Sequence, residues 1–378
     1  MKPFPILLSF LLIIMCSCKR DSDLSTTSLS ENNNIVRHAK GFSIVRHDGF
    51  TIVKVSNPWP NSSMEYTYIL KQKSAVIPDS LAQYQIISVP IKKIIVTSTT
   101  HIPSLEMLEV ESSLIGFPNM KYISSEKVRA RIDAGRVHEV GSTQNLNTEI
   151  IINLQPHVIV AHGIDNNNPA LDNLQKSGLN VMLNGDWNEP TALGKAEWIK
   201  FFGALYGLDT KADSIFSDIE KEYSNILKLA SKVTNKPTVL SGAIYQDKWN
   251  LPQGDSWGAL MLAQAGGSYL WADTKGTGSL SLPFETVFEK GKGADFWIGP
   301  GQFTSFNDMT DSNPHYKEFQ AFKNRQVYSY SIKKGKTGGV LYYELAPNRP
   351  DLVMKDLVKI LHPELLPEYD LYFFEKLK

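Results

Sequence analysis

Few side chains in this sequence could do chemistry. Cys16 and Cys18 are the two cysteines in 378 residues, too few for a disulfide framework or a thiolate metal cluster. Two of the eight histidines, His101 and His162, follow short apolar runs and could converge. Zinc takes three or four N, O or S ligands, and neither two imidazoles nor any histidine-rich loop supplies that set, so no resident metal is expected. A single His101 against a haem or a metal complex suits the residue better. Gly-x-Ser-x-Gly, a phosphate loop and His-Glu-x-x-His are all missing, and the glycine pairs Gly276/Gly278 and Gly291/Gly293 read as turns. No catalytic residue follows, and the chain does not read as an enzyme.

The elements that would position such side chains alternate. Ile91–Thr97 is a β-branched run that reads as a buried strand. Strand readings follow at Leu114–Phe117, Pro156–Ala161 and Asn180–Leu183, with helices at Ser104–Leu108, Thr148–Leu154 and Pro169–Lys176. Strands and helices alternating at this length predict a parallel sheet. Pro190–Tyr206 reads as a helix with proline in its first turn. Thr210 and Asp213 suggest a capping box for a second helix of about 20 residues, about 30 Å long. The pattern then restarts. Pro237–Gly242, Ala294–Ile298 and Gln326–Ile332 read as strands; Trp257–Ala265, Leu282–Glu289, Phe319–Lys323 and Asp351–Leu361 read as helices. Ahead of all this, Phe42–Arg46 and Phe50–Val55 flank His47-Asp48-Gly49, a hairpin signal, and Tyr66–Leu70 adds a third strand.

The first residues have another role. Lys2, the apolar stretch Ile6–Met15 and small Ser17 before Cys18 describe an export signal, too short for a permanent bilayer span. Ser17-Cys18 resembles a bacterial lipobox, which makes Cys18 the lipid-bearing first residue of the mature chain. Asp21–Asn34 is polar and reads as a solvated tether. Lysine plus arginine equals aspartate plus glutamate, 39 against 39, so the chain has no broad electrostatic footprint for nucleic acid. Apolar residues at 42 % and charged residues at 21 % are ordinary for a globular protein.

The two halves echo each other. Thr148-Glu149 ahead of Pro156–Gly163 answers Phe284-Glu285 ahead of Ala294–Gly301. With the segments Gly141–Ala161, Leu193–Gly203 and Arg349–Leu365, this order resembles the substrate-binding proteins of ABC importers for iron complexes, haem and vitamin B12. One departure is Pro156-His157, where the family usually has Pro-Asp. The strand-rich start resembles an extension found in Bacteroidetes members. The resemblance implies an α/β fold: two doubly wound lobes bridged by a single long helix, with a small N-terminal β-rich extension. The expected boundaries are a signal at 1–17, a lipidated tether at 18–40, the extension at 41–89, a first lobe at 90–189, a helical segment at 190–235 and a second lobe at 236–378.

The resemblance also implies function. One glutamate on each lobe would dock on the permease; the matching positions are Glu149 and Glu285. The ligand would lie between the lobes, at loops beyond the strand ends. These loops hold Thr99, Thr100, His101 and His162 in the first lobe, and Tyr245, Gln246, Trp249 and Gln302 in the second. Trp59, Tyr122, Trp257, Trp271, Tyr328 and Tyr330 could approach as well. Aromatic walls suit flat or large ligands. The expected cargo is a ferric siderophore or similar iron complex, with cobalamin or haem as alternatives. The expected state is a monomer in the periplasm or cell envelope, held at a membrane by its lipid. A cell-surface carbohydrate or adhesion module is the reading from a different class.

Overall fold

The computed structural model describes residues 34–163 and 168–378. The signal, Cys18 and the polar stretch up to Asn33 lie outside the described residues.

The extension is a four-stranded sheet, β1 (Phe42–His47), β2 (Phe50–Ser56), β3 (Glu65–Gln72) and β4 (Gln85–Val89). The hairpin forms around Asp48-Gly49 as its sequence requires, pairing Phe42 with Val55 and His47 with Phe50. β4 joins β3 in parallel and was not foreseen. Ile44, Val53, Val55, Tyr68 and Leu70 on one face enter the core of the first lobe. The Tyr68 hydroxyl accepts the Leu183 N–H at 3.0 Å, which covers an otherwise open sheet edge.

Residues 37–40, which the sequence reading places in the tether, are fastened to the folded body. The Glu197 carboxylate accepts the N–H groups of Arg37, His38 and Ala39, and Glu189 accepts those of Lys40 and Gly41. Two buried carboxylates thus bind a continuous run of backbone donors. Burial pushes the Glu197 carboxyl up, but its N–H and Lys200 partners outweigh that and hold it below the usual range.

The first lobe follows: β5 (Ile94–Val96), α1 (His101–Met107), β6 (Leu114–Phe117), α2 (Glu126–Asp133), β7 (His138–Glu139), the small hairpin β8 (Gly141–Ser142) and β9 (Asn145–Leu146), α3 (Thr148–Leu154), β10 (Val158–His162), α4 (Pro169–Lys176) and β11 (Val181–Asn184). Its sheet order is β11-β10-β5-β6-β7, all parallel. The order reverses between β5 and β10. Asparagine caps start the helices where the sequence places them: Asn147 Oδ1 accepts from Ile150 N, and Asn168 Oδ1 from Leu171 N.

The helical segment differs from its sequence reading. Pro190–Tyr206 is two helices, α5 (Ala192–Glu197) and α6 (Ile199–Tyr206), split at Trp198. Proline stays outside because the Thr191 hydroxyl caps Gly194 N at 3.0 Å. The Thr210 capping box does not form; α7 (Asp209–Ala230, 22 residues) starts one residue earlier without a side-chain cap, and Asp209 favours the helix dipole. The buried face of α7 divides in two. Ala212, Phe216 and Ile219 belong to the first lobe's core; Tyr223, Ile226 and Ala230 belong to the second's. One rigid helix therefore carries both cores.

The second lobe comprises β12 (Thr238–Ser241), β13 (Ala243–Tyr245), β14 (Lys248–Pro252), α8 (Trp257–Gln264), β15 (Ser268–Tyr269), β16 (Ser279–Leu282), α9 (Phe284–Gly291), β17 (Phe296–Ile298), α10 (Phe306–Ser312), α11 (Gln320–Lys323), β18 (Val327–Ser329), α12 (Leu341–Leu345), α13 (Pro350–Leu361) and β19 (Glu375–Lys376). Its main sheet runs β15-β12-β17-β18-β19, parallel except for β19. The order reverses between β12 and β17. Leu282 pairs in a strand with Trp249, so α9 begins only at Phe284. The result is two α/β lobes joined by α7.

Candidate ligand-binding cleft

In open α/β sheets, ligands bind beyond the carboxyl ends of the strands where the strand order reverses. Both lobes place a cavity there. In the first, Thr97–Thr99 after β5 and His162 at the end of β10 line a space of about 410 Å³, which Gly339, Val340 and Tyr343 of the second lobe close. In the second, Ser241–Ala243 after β12 and Ile298–Gly299 at β17 open a space of about 880 Å³. Tyr343 lines both spaces, so they adjoin at its side chain; the smaller has residues of both lobes in its wall, and the larger is walled by the second lobe.

Aromatic rings dominate the larger space. Tyr330 and Tyr342 stack at 4.4 Å with an interplanar angle of 16°, and Trp257 stacks on Tyr342 at 6.1 Å. Burial pushes both phenols above the usual tyrosine range, so they stay neutral. Gln302 Nε2 donates to the Tyr343 hydroxyl at 3.0 Å. Gly242 turns the chain at the end of β12 with φ +78°, and a Cβ there would lie 1.9 Å from the Asn250 carbonyl oxygen.

The smaller space has a larger share of polar lining than the other. Thr97 Oγ1 accepts the His162 N–H at 2.8 Å and ties the two strand ends together. Behind it lies a buried polar group. His101 Nε2 sits 4.0 Å from Asp186 Oδ1. Both His101 ring nitrogens, His162 Nδ1, Asn184 Nδ2 and Asp186 Oδ1 lack hydrogen-bond partners among the described residues. Burial lowers the His101 pKa to about 4 and that of His162 below its ordinary value, so both imidazoles are neutral. Lys195 is lowered to about 8 by burial, and its Nζ donates to the Asp186 and Trp187 carbonyls.

The lobes touch beside the cleft. The Glu344 carboxylate accepts Ser124 N at 2.7 Å and Ser125 N at 3.0 Å. Burial raises its pKa to about 7. Asn348 accepts from the Ser104 hydroxyl and donates to the Thr100 carbonyl. Gly339 passes so close that a Cβ would meet the Tyr122 carbonyl oxygen at 2.1 Å.

The sequence candidates divide accordingly. Thr99 and His162 line the smaller space, and Tyr245 and Gln302 the larger. Four do not line it. Thr100 lies at the start of α1 and its carbonyl holds Asn348. His101 is fully buried, 5.6 Å from the Phe202 ring. Gln246 sits exposed in the turn between β13 and β14 with φ 49°. Trp249 is a core residue stacked on Trp297, its Nε1 donating to the Ser241 carbonyl. Of the further aromatics, Tyr122, Trp257 and Tyr330 line the cleft, whereas Trp59, Trp271 and Tyr328 do not. Tyr342 and Tyr343 were missed. The only signal was a tyrosine pair after Gly338-Gly339, and nothing local says that it crosses to the other lobe.

Glu149 and Glu285 are exposed in the first turns of α3 and α9. Each helix leads into the strand beside its lobe's reversal point, β10 or β17. Among the described residues, no group of three or more His, Cys, Asp or Glu could hold a metal ion, and no helix is long and apolar enough to cross a membrane.

Residues 94–332 match the periplasmic binding protein family. The chain belongs to that family. It is 27 % identical to an uncharacterized lipoprotein of Methanocaldococcus jannaschii, over 96 % of this chain and 93 % of the relative. Among solved structures, it resembles Helicobacter pylori CeuE with Ni(II) bound (TM-score 0.57, 19 % identity, 76 % of this chain and 88 % of the other). It also resembles a periplasmic haem-binding protein of Pseudomonas aeruginosa (TM-score 0.54, 16 % identity, 72 % and 93 %). At these identities the structures speak for the fold: two α/β lobes and a connecting helix, as in this member of the family.

Proposed function

We propose that this periplasmic binding protein is the lipid-anchored capture component of an ABC importer, holding an iron complex between its lobes and delivering it to a membrane permease. The observation that carries the reading is a cavity at each lobe's reversal point, the two adjoining at Tyr343, with α7 fixing the two cores. A single rigid connection favours small opening motions over wide hinge closure. Cobalamin or haem would use the same aromatic wall; a solved relative in fold is haem-binding. Lipid attachment at Cys18 agrees with the naming of the archaeal relative as a lipoprotein and would keep the protein in the cell envelope. The carbohydrate or adhesion reading gains nothing from the extension, one of whose apolar faces packs on the first lobe while the other is covered by its own Leu81, Ile77 and Tyr84. Glu149 and Glu285 would dock on the permease: two charges on separate rigid helices fix orientation more than they add affinity.

The test is mass spectrometry of the ligand that copurifies with the protein from its native cells. An iron chelate, a corrinoid or a haem is the expected result. An empty cleft in freshly isolated, folded protein that also ignores all three when they are added would overturn the reading.

A further inference from the structure

The cleft lining has an unusual composition. Among the described residues, no lysine, arginine, aspartate or glutamate lines either space, although the larger alone, about 880 Å³, suits a large ligand. The one imidazole, His162, is held neutral by burial. The polar groups on offer are hydroxyls and amides: Thr97, Thr99 and Asn119 on one side, Ser256, Thr277 and Gln302 on the other. The start of α8 borders the larger space, yet the Ser256 hydroxyl already accepts the Ala259 N–H and satisfies part of that helix end from within.

A net charge taken into such a space gives up part of its hydration and finds no counter-charge among the described lining residues. Anion sites ordinarily provide arginine or lysine for that reason. Two lysines do pack on lining rings, Lys121 over Tyr122 and Lys195 over Trp257, but neither lines the cleft. Lys195 is buried and already committed to two carbonyls.

We infer that the ligand of this cleft is electroneutral, presents a broad unsaturated or apolar face to Trp257, Tyr342 and Tyr330, and is read through uncharged hydrogen bonds. This rests on the capture reading and narrows it. A neutral ferric trihydroxamate and a corrinoid amide share the required chemistry. A ferric triscatecholate is trianionic, and haem carries two propionates.

The test is titration of the full-length protein, followed by tryptophan fluorescence, with four probes: a neutral ferric trihydroxamate, cyanocobalamin, a ferric triscatecholate and haem. Each is measured at low and high salt. At least one neutral probe should bind, with affinity changed less than about twofold by salt because no ion pair is screened. Which neutral probe it is separates chelate from corrinoid. Tighter binding of the triscatecholate or haem than of both neutral probes would overturn the inference while leaving the capture reading intact. Silence with all four, in protein shown to be folded by circular dichroism, overturns both. A second measurement uses Lys121→Glu. Affinity for the probe that binds should stay within about twofold of wild type, since an exposed charge acts weakly on a neutral ligand; a loss of tenfold or more would show that charge contributes to the grip and would overturn the inference.

Discussion

The two lobes are built alike at one end of their sheets and unlike at the other. At the amino ends, each lobe ties its two central strands with one side chain. In the second lobe Asp295 Oδ2 accepts the Thr238 N–H at 2.8 Å. In the first, His157 Nδ1 accepts the Lys92 N–H at 3.0 Å. The imidazole nitrogen does what the carboxylate does, which explains why histidine can stand where the family usually has aspartate. At the carboxyl ends the likeness stops. The first lobe offers a small wall of hydroxyls backed by a buried polar group, and the second a large aromatic wall. On the proposed capture reading, the shared framework would set where a ligand sits, and the divergent ends would divide the grip into hydrogen bonding on one side and buried area on the other.

The largest expected effect asks whether the lobes are equal partners in delivery. Glu149→Lys combined with Glu285→Lys should abolish ligand uptake by cells while leaving affinity intact, and each single change should give an intermediate loss. Lost affinity in the double variant, or full uptake, would remove the docking role. Next comes the division of grip. Tyr343→Ala should weaken ligand binding by about tenfold or more, because aromatic area carries most of the energy at such contacts. Thr99→Val should cost about one hydrogen bond, roughly threefold to tenfold. The reverse ranking in titration would break the comparison.

A smaller effect concerns the contact between the lobes. Glu344 has its pKa raised from 4.5 to about 7, so its protonated form is favoured in the folded state. Its contribution is fully present below the unfolded value and is lost as pH rises through about 7. Glu344→Gln, which stays neutral, should therefore gain stability relative to wild type as pH goes from about 5 to about 8. The gain is on the order of 3 kcal/mol at the top of that range, read from denaturant midpoints. His101 works in the opposite sense: with its pKa lowered to about 4, its contribution is present above about 6.5 and lost as pH falls through about 4. A flat difference between Glu344→Gln and wild type would mean that the carboxylate is ionised throughout. Smallest of all is the exchange at the amino ends. His157→Asp should leave the melting temperature nearly unchanged, whereas His157→Ala and Asp295→Ala should each cost about 1 kcal/mol. A costly His157→Asp would show that the two ties are not equivalent.

Much of the framework was legible along the chain. Thr148–Leu154, Pro169–Lys176 and Leu114–Phe117 stand as their periodicity and caps require. The long helix read from spacing alone is α7, and the hairpin at Asp48-Gly49 forms in register. The misses have local causes. Thr191 outcompeted Pro190 as a helix start, and Leu282 was drawn into a strand by β14. Glu189 and Glu197 fastened residues that look like tether. Thr191 is Pro190's neighbour, but β14 and the two glutamates are far in sequence from the residues they capture.

The cleft shows the same division more sharply. The sequence by itself determined the strands, the helices and the places where loops follow strand ends, because burial periodicity and caps act over a few residues. It therefore pointed to Thr99, His162, Tyr245 and Gln302. Only the tertiary structure decided that Trp249 is fully buried against Trp297 and not in the cleft wall. It alone buried His101 against Phe202 and brought Tyr343 across to the first lobe's strand ends. Lining a cleft depends on which surfaces from distant segments face each other, and no local rule of spacing carries that information.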